Sequence, residues 1–133
     1  MGVVTISLKQ YENGKKAEEL AQEIIIEAFK DAEIEIINDL IDFVVNGKYI
    51  EVKSCDKYIS DKSHTTGRRR GRFILNKRQH EFLVKHDGLY LFIVRCEVGK
   101  RYIKFIRAKE LDVTFNSEYL ALNWRKVFGD KYE

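Results

Sequence analysis

Residues 43–52 read FVVNGKYIEV, and the Asn46-Gly47 pair at their centre constrains the chain more than any other feature. Asn-Gly favours a two-residue β-hairpin turn, because both central residues of such a turn take positive φ. A turn of that length sets the pairing: Val45 opposite Lys48, Val44 opposite Tyr49, Phe43 opposite Ile50, and Asp42 opposite Glu51. Side chains alternate between the two faces of a strand. Phe43, Val45, Ile50 and Val52 therefore share an apolar face that belongs in a core. Asp42, Glu51 and Lys53 share the other.

Two carboxylates directly across a strand pair lie about 5 Å apart at Cβ and repel. At an effective dielectric near ~20 the repulsion is about 3 kcal/mol. Something cationic between them would remove it. Lys53 can serve, and so can a hard divalent cation such as Mg²⁺ or Mn²⁺, which takes carboxylate oxygens and keeps several waters. A solvated face carrying a lysine-screened acid pair is the competing reading.

The rest of the chain alternates. VVTISL (3–8) reads as a short strand. Asn13-Gly14 precedes a helix over Lys15–Lys30, with an apolar stripe at Ala17, Leu20, Ala21, Ile24 and Ala28. Glu18 falls on the Glu18-Gln22-Ile25-Phe29 row bordering that stripe, whereas Glu19, Glu23 and Glu27 fall on the outer side. EIEII reads as a strand leading into the hairpin. The stretch SCDKYISDKSHTTGRRRGRF is the longest polar segment and reads as a basic loop. Asn76 can cap a helix over Lys77–His86 that Gly88 ends. LYLFIVR is almost wholly apolar, as a strand covered on both faces must be. EVGK turns it into RYIKFIR. Ser117 can cap a last helix, EYLALNWRKVF, with Tyr119, Leu120, Trp124 and Phe128 on its apolar face.

Strands alternating with helices around a doubly covered strand define an α/β chain with a mixed sheet and helices on both faces. Its 133 residues suit a single domain spanning 1–133. Hydrophobic residues at 44% support a real core, and net charge +3 is too small to define a partner. No apolar run reaches the ~18 residues a membrane span needs, and MGVVTISLKQ has neither a signal-peptide start nor a myristoylation pattern. Cys55 and Cys96 have no metal-ligand spacing and are expected as reduced thiols in a cytoplasmic protein. His64, His80 and His86 are scattered, and none pairs with a Ser or Cys as a nucleophile would require.

GKKAEELA, DFVVNGKYIEVK and NKRQHEFL together resemble the PD-(D/E)XK nuclease superfamily, most closely its small archaeal or viral enzymes of the Holliday-junction-resolvase and restriction-endonuclease type. The similarity spans about Gly14 to Arg95. It implies a restriction-endonuclease-like fold with an αβββαβ core. It carries the family's helix acid onto Glu18, its hairpin Asp onto Asp42, and its Glu-x-Lys onto Glu51 and Lys53; Gln79 matches a polar position near the site. Ile41 stands where the family has proline, and KDAEIEIIND has no counterpart of the resolvases' serine segment.

The resemblance implies Mg²⁺, with Mn²⁺ able to substitute, held by Glu18, Asp42, Glu51 and the carbonyl of Val52. Lys53 would orient or deprotonate the attacking water or stabilise the charge formed on phosphorus. Hydrolysis of DNA phosphodiester bonds by an endonuclease follows, with a homodimer serving two strands. A Holliday junction resolvase is one alternative, and a non-cleaving DNA-binding nuclease-fold subunit another. Beside such a site, Lys57, Lys62, Arg68, Arg69, Arg70 and Arg72 are expected to contact DNA phosphates, Arg through its planar fork. Gly67 and Gly71 would give their loop the freedom to fit a groove. Tyr58 or Phe73 could stack on a base, although Phe73 is better placed to begin the packing of the next element.

Overall fold

The computed structural model describes residues 19–36 and 40–132. The expected strand at 3–8, the first turns of the first helix, and Glu18 lie outside them. Helix α1 occupies residues 19–28. Strands β1 (Ile34–Ile36), β2 (Phe43–Val45) and β3 (Lys48–Asp56) follow. Then come β4 (Tyr58–Ser60), β5 (Arg68–Arg70), β6 (Arg72–Asn76) and helix α2 (Lys77–Lys85). Strands β7 (Leu89–Arg95), β8 (Arg101–Arg107) and β9 (Tyr119–Asn123) precede helix α3 (Trp124–Phe128).

The main sheet runs β1-β2-β3-β7-β8. Only β3 and β7 pair in parallel, so the sheet is mixed. The hairpin register is the expected one, Phe43↔Ile50, Val44↔Tyr49 and Val45↔Lys48. Asn46 and Gly47 have φ of 49° and 82°, the positive pair a two-residue turn of this kind requires.

β7 explains why the sheet needs two covers. Leu91 and Ile93 join Phe43, Val45 and Ile50 under Ala21 and Ile25 of α1. Tyr90, Phe92 and Val94 face the opposite way, into a second core with Cys55, Phe73, Leu75, Leu83, Trp124 and Phe128. Burial of α1 centres on Ala21 and Ile25, while Ala28 is exposed. The stripe is thus rotated toward the Gln22-Ile25-Phe29 row. Glu19, Glu23 and Glu27 are exposed, as their phase predicts.

Two expectations are corrected. The polar segment after β3 is not a loop: Arg68–Arg70 form β5, antiparallel to β4, and Arg72 opens β6. The last helix is confined to Trp124–Phe128 and is capped by Asn123, whose Oδ1 accepts from Arg125 N at 3.0 Å, instead of by Ser117. Tyr119–Asn123 is a strand antiparallel to β6, with Leu75↔Leu120 and Phe73↔Leu122. Leu120 and Leu122 alternate, so strand pairing points both inward beside buried Phe73 and Leu75, and leaves Tyr119 59% exposed. A continuous helix could not do both.

Candidate active site

The antiparallel ladder of the hairpin ends at Phe43 and Ile50, and side chains continue it. Val52 N donates to Asp42 Oδ2 at 3.0 Å, and Asp42 N donates to Glu51 Oε1 at 3.1 Å. Each acid thus accepts from the other strand's backbone, which locks both carboxylates at the mouth of the hairpin. A strand residue's N–H and C=O point the same way, so the Val52 carbonyl also faces the Asp42 side.

This polar face is not solvated. Glu51 is 4% exposed, with Tyr90 beside it on β7 and α2 approaching through Gln79. Lys53 Nζ lies 3.2 Å from Glu51 Oε2 and donates to Gln79 Oε1 at 3.0 Å. Gln79 Nε2 donates to the Leu40 carbonyl at 2.8 Å. Gln79 is itself fixed at the helix start, where its N–H donates to the Asn76 cap at 3.0 Å. One amide therefore ties α2, β3 and the entry to β2 together around the lysine.

Burial, and next the adjacent Asp42 carboxylate, push the Glu51 carboxyl up to about 7; Lys53 pulls the other way without cancelling them. Among the described residues, a buried glutamate and a half-buried aspartate with one lysine are short of positive charge. Asp42, Glu51 and the Val52 carbonyl are hard oxygen donors in one place, which fits a divalent cation of the Mg²⁺ class. Among the described residues no third Asp, Glu, His or Cys joins them. The expected third acid, Glu18, lies outside those residues.

Thus Asp42, Glu51, Val52, Lys53 and Gln79 are brought together. Lys57, Lys62, Arg68, Arg69 and Arg72 stand apart from that cluster. Lys57 follows β3, and its Nζ donates to Tyr102 Oη at 3.0 Å. Arg68 lies over the Tyr58 ring at 4.5 Å, Arg69 pairs with Asp61 at 3.2 Å, and Lys62 and Arg72 are exposed. Phe73 is fully buried in the core. Gly71 does not loosen a loop: it is buried, and a Cβ there would stand 1.8 Å from the Asp56 carbonyl oxygen.

Sequence reasoning missed two neighbours. Tyr90 walls the site, its hydroxyl 3.0 Å from His80 Nδ1, and burial raises its phenol and lowers the His80 imidazole. The Leu40 carbonyl anchors Gln79. A buried tyrosine in an apolar strand could have been suspected; a backbone carbonyl leaves no trace in side-chain patterns.

A mixed five-strand sheet with acids at a hairpin mouth, and helices against both faces, is the layout of restriction-endonuclease-like folds. The sequence profile of the PD-(D/E)XK nuclease superfamily domain matches residues 6–133, and the chain belongs to that superfamily. Among solved structures, the Holliday junction resolvase Hjc of the archaeal hyperthermophile Archaeoglobus fulgidus is similar, at 12% identity and a TM-score of 0.44. The match covers 89% of this chain and 99% of that one. A comparison with curated protein sequences finds no match. Among the described residues no helix is long and apolar enough to cross a membrane.

Proposed function

We propose that this chain is a metal-dependent DNA endonuclease that hydrolyses phosphodiester bonds, with Asp42, Glu51, Lys53 and Gln79 as its working residues. The supporting observation is the Asp42–Glu51 pair at the hairpin mouth, with Glu51 buried and Lys53 beside it aimed by Gln79. Nucleases of this superfamily typically use a divalent metal. Asp42, Glu51 and the Val52 carbonyl would hold Mg²⁺ or Mn²⁺ here, together with Glu18 as the family pattern implies. When bound, such an ion polarises the scissile phosphate and lowers the pKa of water.

The protein's own contribution follows from its donors. A lysine ammonium has three N–H donors, and Glu51 and Gln79 take two. The third remains for a phosphate oxygen or a water molecule beside the acids. Gln79 keeps that donor aimed, and Tyr90 with α2 excludes bulk water from one side. Lys57, Lys62, Arg68, Arg69, Arg70 and Arg72 hold the DNA backbone, and two chains acting together would serve two strands. The free thiols suit a cytoplasmic setting: Cys55 is buried and pushed up to about 12 by that burial.

Incubation with Mg²⁺ and a panel of linear duplex, single-stranded, flap and four-way-junction DNA tests the reading. Cleavage of at least one substrate, abolished by Asp42→Ala and by Glu51→Ala, is expected. Selective cutting of the four-way junction would narrow the activity to a resolvase. Binding without cutting on every substrate would make the chain a nuclease-fold DNA-binding subunit and end the endonuclease reading.

A further inference from the structure

A cavity of about 460 Å³ opens at the carboxyl ends of β3 and β7, apart from the acid pair. Its walls include Lys57, Tyr58, Arg68, Arg95, Lys100 and Tyr102. The volume is that of a small-molecule site, about 300–1,000 Å³. Four of those six residues are cations, against two acids in the lining, Asp56 and Glu97. Asp56 is already taken: Arg95 Nε donates to it at 2.8 Å, and Arg95 Nη1 donates to Ser54 Oγ at 2.9 Å. Lys57, Arg68 and Lys100 have no carboxylate partner among the described residues.

The aromatic groups are as well placed as the charges. Lys57 Nζ sits 5.7 Å from the Tyr58 ring centre and 5.2 Å from that of Tyr102. The Arg68 guanidinium lies 4.5 Å over Tyr58 and is exposed. A guanidinium plane on an aromatic ring is a platform on which a base can stack. Cations beside it suit the phosphate of the same nucleotide.

We infer that this cleft is a binding site for one unstacked nucleotide, with its base against the Tyr58–Arg68 platform and its phosphate on Lys57 and Lys100. Its use on DNA rests on the endonuclease reading. Asp56 lies five residue steps along β3 from Glu51, about 17 Å at ~3.3 Å per residue. That is roughly the length of five stacked nucleotides in one strand at ~3.4 Å each. A strand held at the acid pair can therefore place a nucleotide in the cleft if that nucleotide leaves its stack. The cleft would favour DNA with an unpaired position near the cut.

The test has two arms, both on the full chain. In the first, dAMP and inorganic phosphate are titrated and read through Trp124, the chain's one tryptophan, which lies 5.6 Å from Tyr102. The expected result is dAMP binding about tenfold tighter than phosphate. Tyr58→Leu should erase that difference, and Lys100→Gln should weaken both probes alike. In the second arm, with Ca²⁺ present, a fully paired duplex is compared with the same duplex carrying one unpaired nucleotide. The expected preference for the latter is again about tenfold, lost in Tyr58→Leu. Equal binding of dAMP and phosphate overturns the site, as does a selectivity that neither substitution moves. Selective dAMP binding with no preference between the duplexes overturns strand capture and leaves a free-nucleotide site. Selective dAMP binding in a chain that cuts no DNA of the panel overturns the endonuclease reading while the cleft stands.

Discussion

Two acids flank helix α2 and are treated in opposite ways. Asp87, just past its carboxyl end, is half exposed among cations: Arg107 Nη2 donates to it at 2.8 Å, Lys48 Nζ at 3.3 Å, and Lys109 Nζ lies 3.4 Å away. Those partners, Arg107 first, hold its carboxyl down at about 2. Glu51, near the amino end, is buried beside another acid and is pushed up to about 7. Asp87 finds enough positive charge around it. Among the described residues, Glu51 does not. The fold satisfies the acid that fastens α2 to β8 and leaves unsatisfied the acid that sits where chemistry is proposed. Buried, under-compensated carboxylates of this kind concentrate at functional sites.

The sharpest break of this comparison is in catalysis. Lys53→Met, Asp42→Ala and Glu51→Gln should each lower DNA cleavage by about 10²–10⁴ or more, while Asp87→Asn stays near the wild-type rate. Single-turnover cleavage in Mg²⁺ checks this, and a comparable loss in Asp87→Asn would erase the distinction between the two acids.

Stability should move the other way. The folded Glu51 carboxyl titrates above its usual value, so the unfolded chain releases the proton first as pH rises. Folding is therefore weakened progressively between about 4.5 and about 7, fully above that window and not at all below it. Glu51→Gln should raise stability at pH 8 by up to about 3 kcal/mol and leave it unchanged at pH 4. Urea unfolding at the two pH values measures this, and equal shifts at both would contradict it. Added Mg²⁺ should stabilise the wild type at pH 8 by mass action and stabilise Glu51→Gln much less.

Gln79→Leu sharpens the picture further. It leaves Lys53 in place but removes what aims it, so activity should fall by about 10–100-fold, the scale of outer-sphere partners. Single-turnover cleavage in Mg²⁺ checks this, and a wild-type rate in Gln79→Leu would contradict it. The smallest effect belongs to Asp87→Asn. A depressed carboxyl contributes stability above its usual range near 3.8 and loses it as pH falls toward about 2. At neutral pH these half-exposed pairs are screened by salt and solvent. The substitution should shift the melting temperature slightly and not at all in high salt.

What the sequence made legible was local. Asn46-Gly47 determined the hairpin register residue by residue, the apolar run at 89–95 announced a doubly covered strand, and Asn76 capped α2. What it concealed depends on distant partners. Arg68–Arg70 have no intrinsic liking for a strand, yet β4 pairs with them. The leucines of β9 become a strand only because β6, more than forty residues earlier, offers an edge. The α2 boundary shows the same limit: Asp87 takes the positive φ of 53° expected of Gly88. Gly88 is instead buried where a Cβ would stand 2.6 Å from Leu83 Cδ2. At the site, alternation correctly put Asp42, Glu51 and Lys53 on one face. It could not show that Glu51 on this face is buried, because α2 covers it from across a crossover.

Gly71 has a calorimetric consequence. Its N–H donates to the Lys57 carbonyl at 3.1 Å, its carbonyl accepts from Trp124 N at 3.3 Å, and the Asp56 carbonyl occupies the space of its missing side chain. The arginine strand is thereby riveted to the peptide at which β3 leaves the sheet. A disordered basic segment that folds onto DNA shows a large negative heat-capacity change and an unfavourable ordering entropy. An arm already fixed in its bound shape avoids both. Its association with DNA would have a nearly temperature-independent enthalpy, and its driving force would come from the counterions the phosphates release.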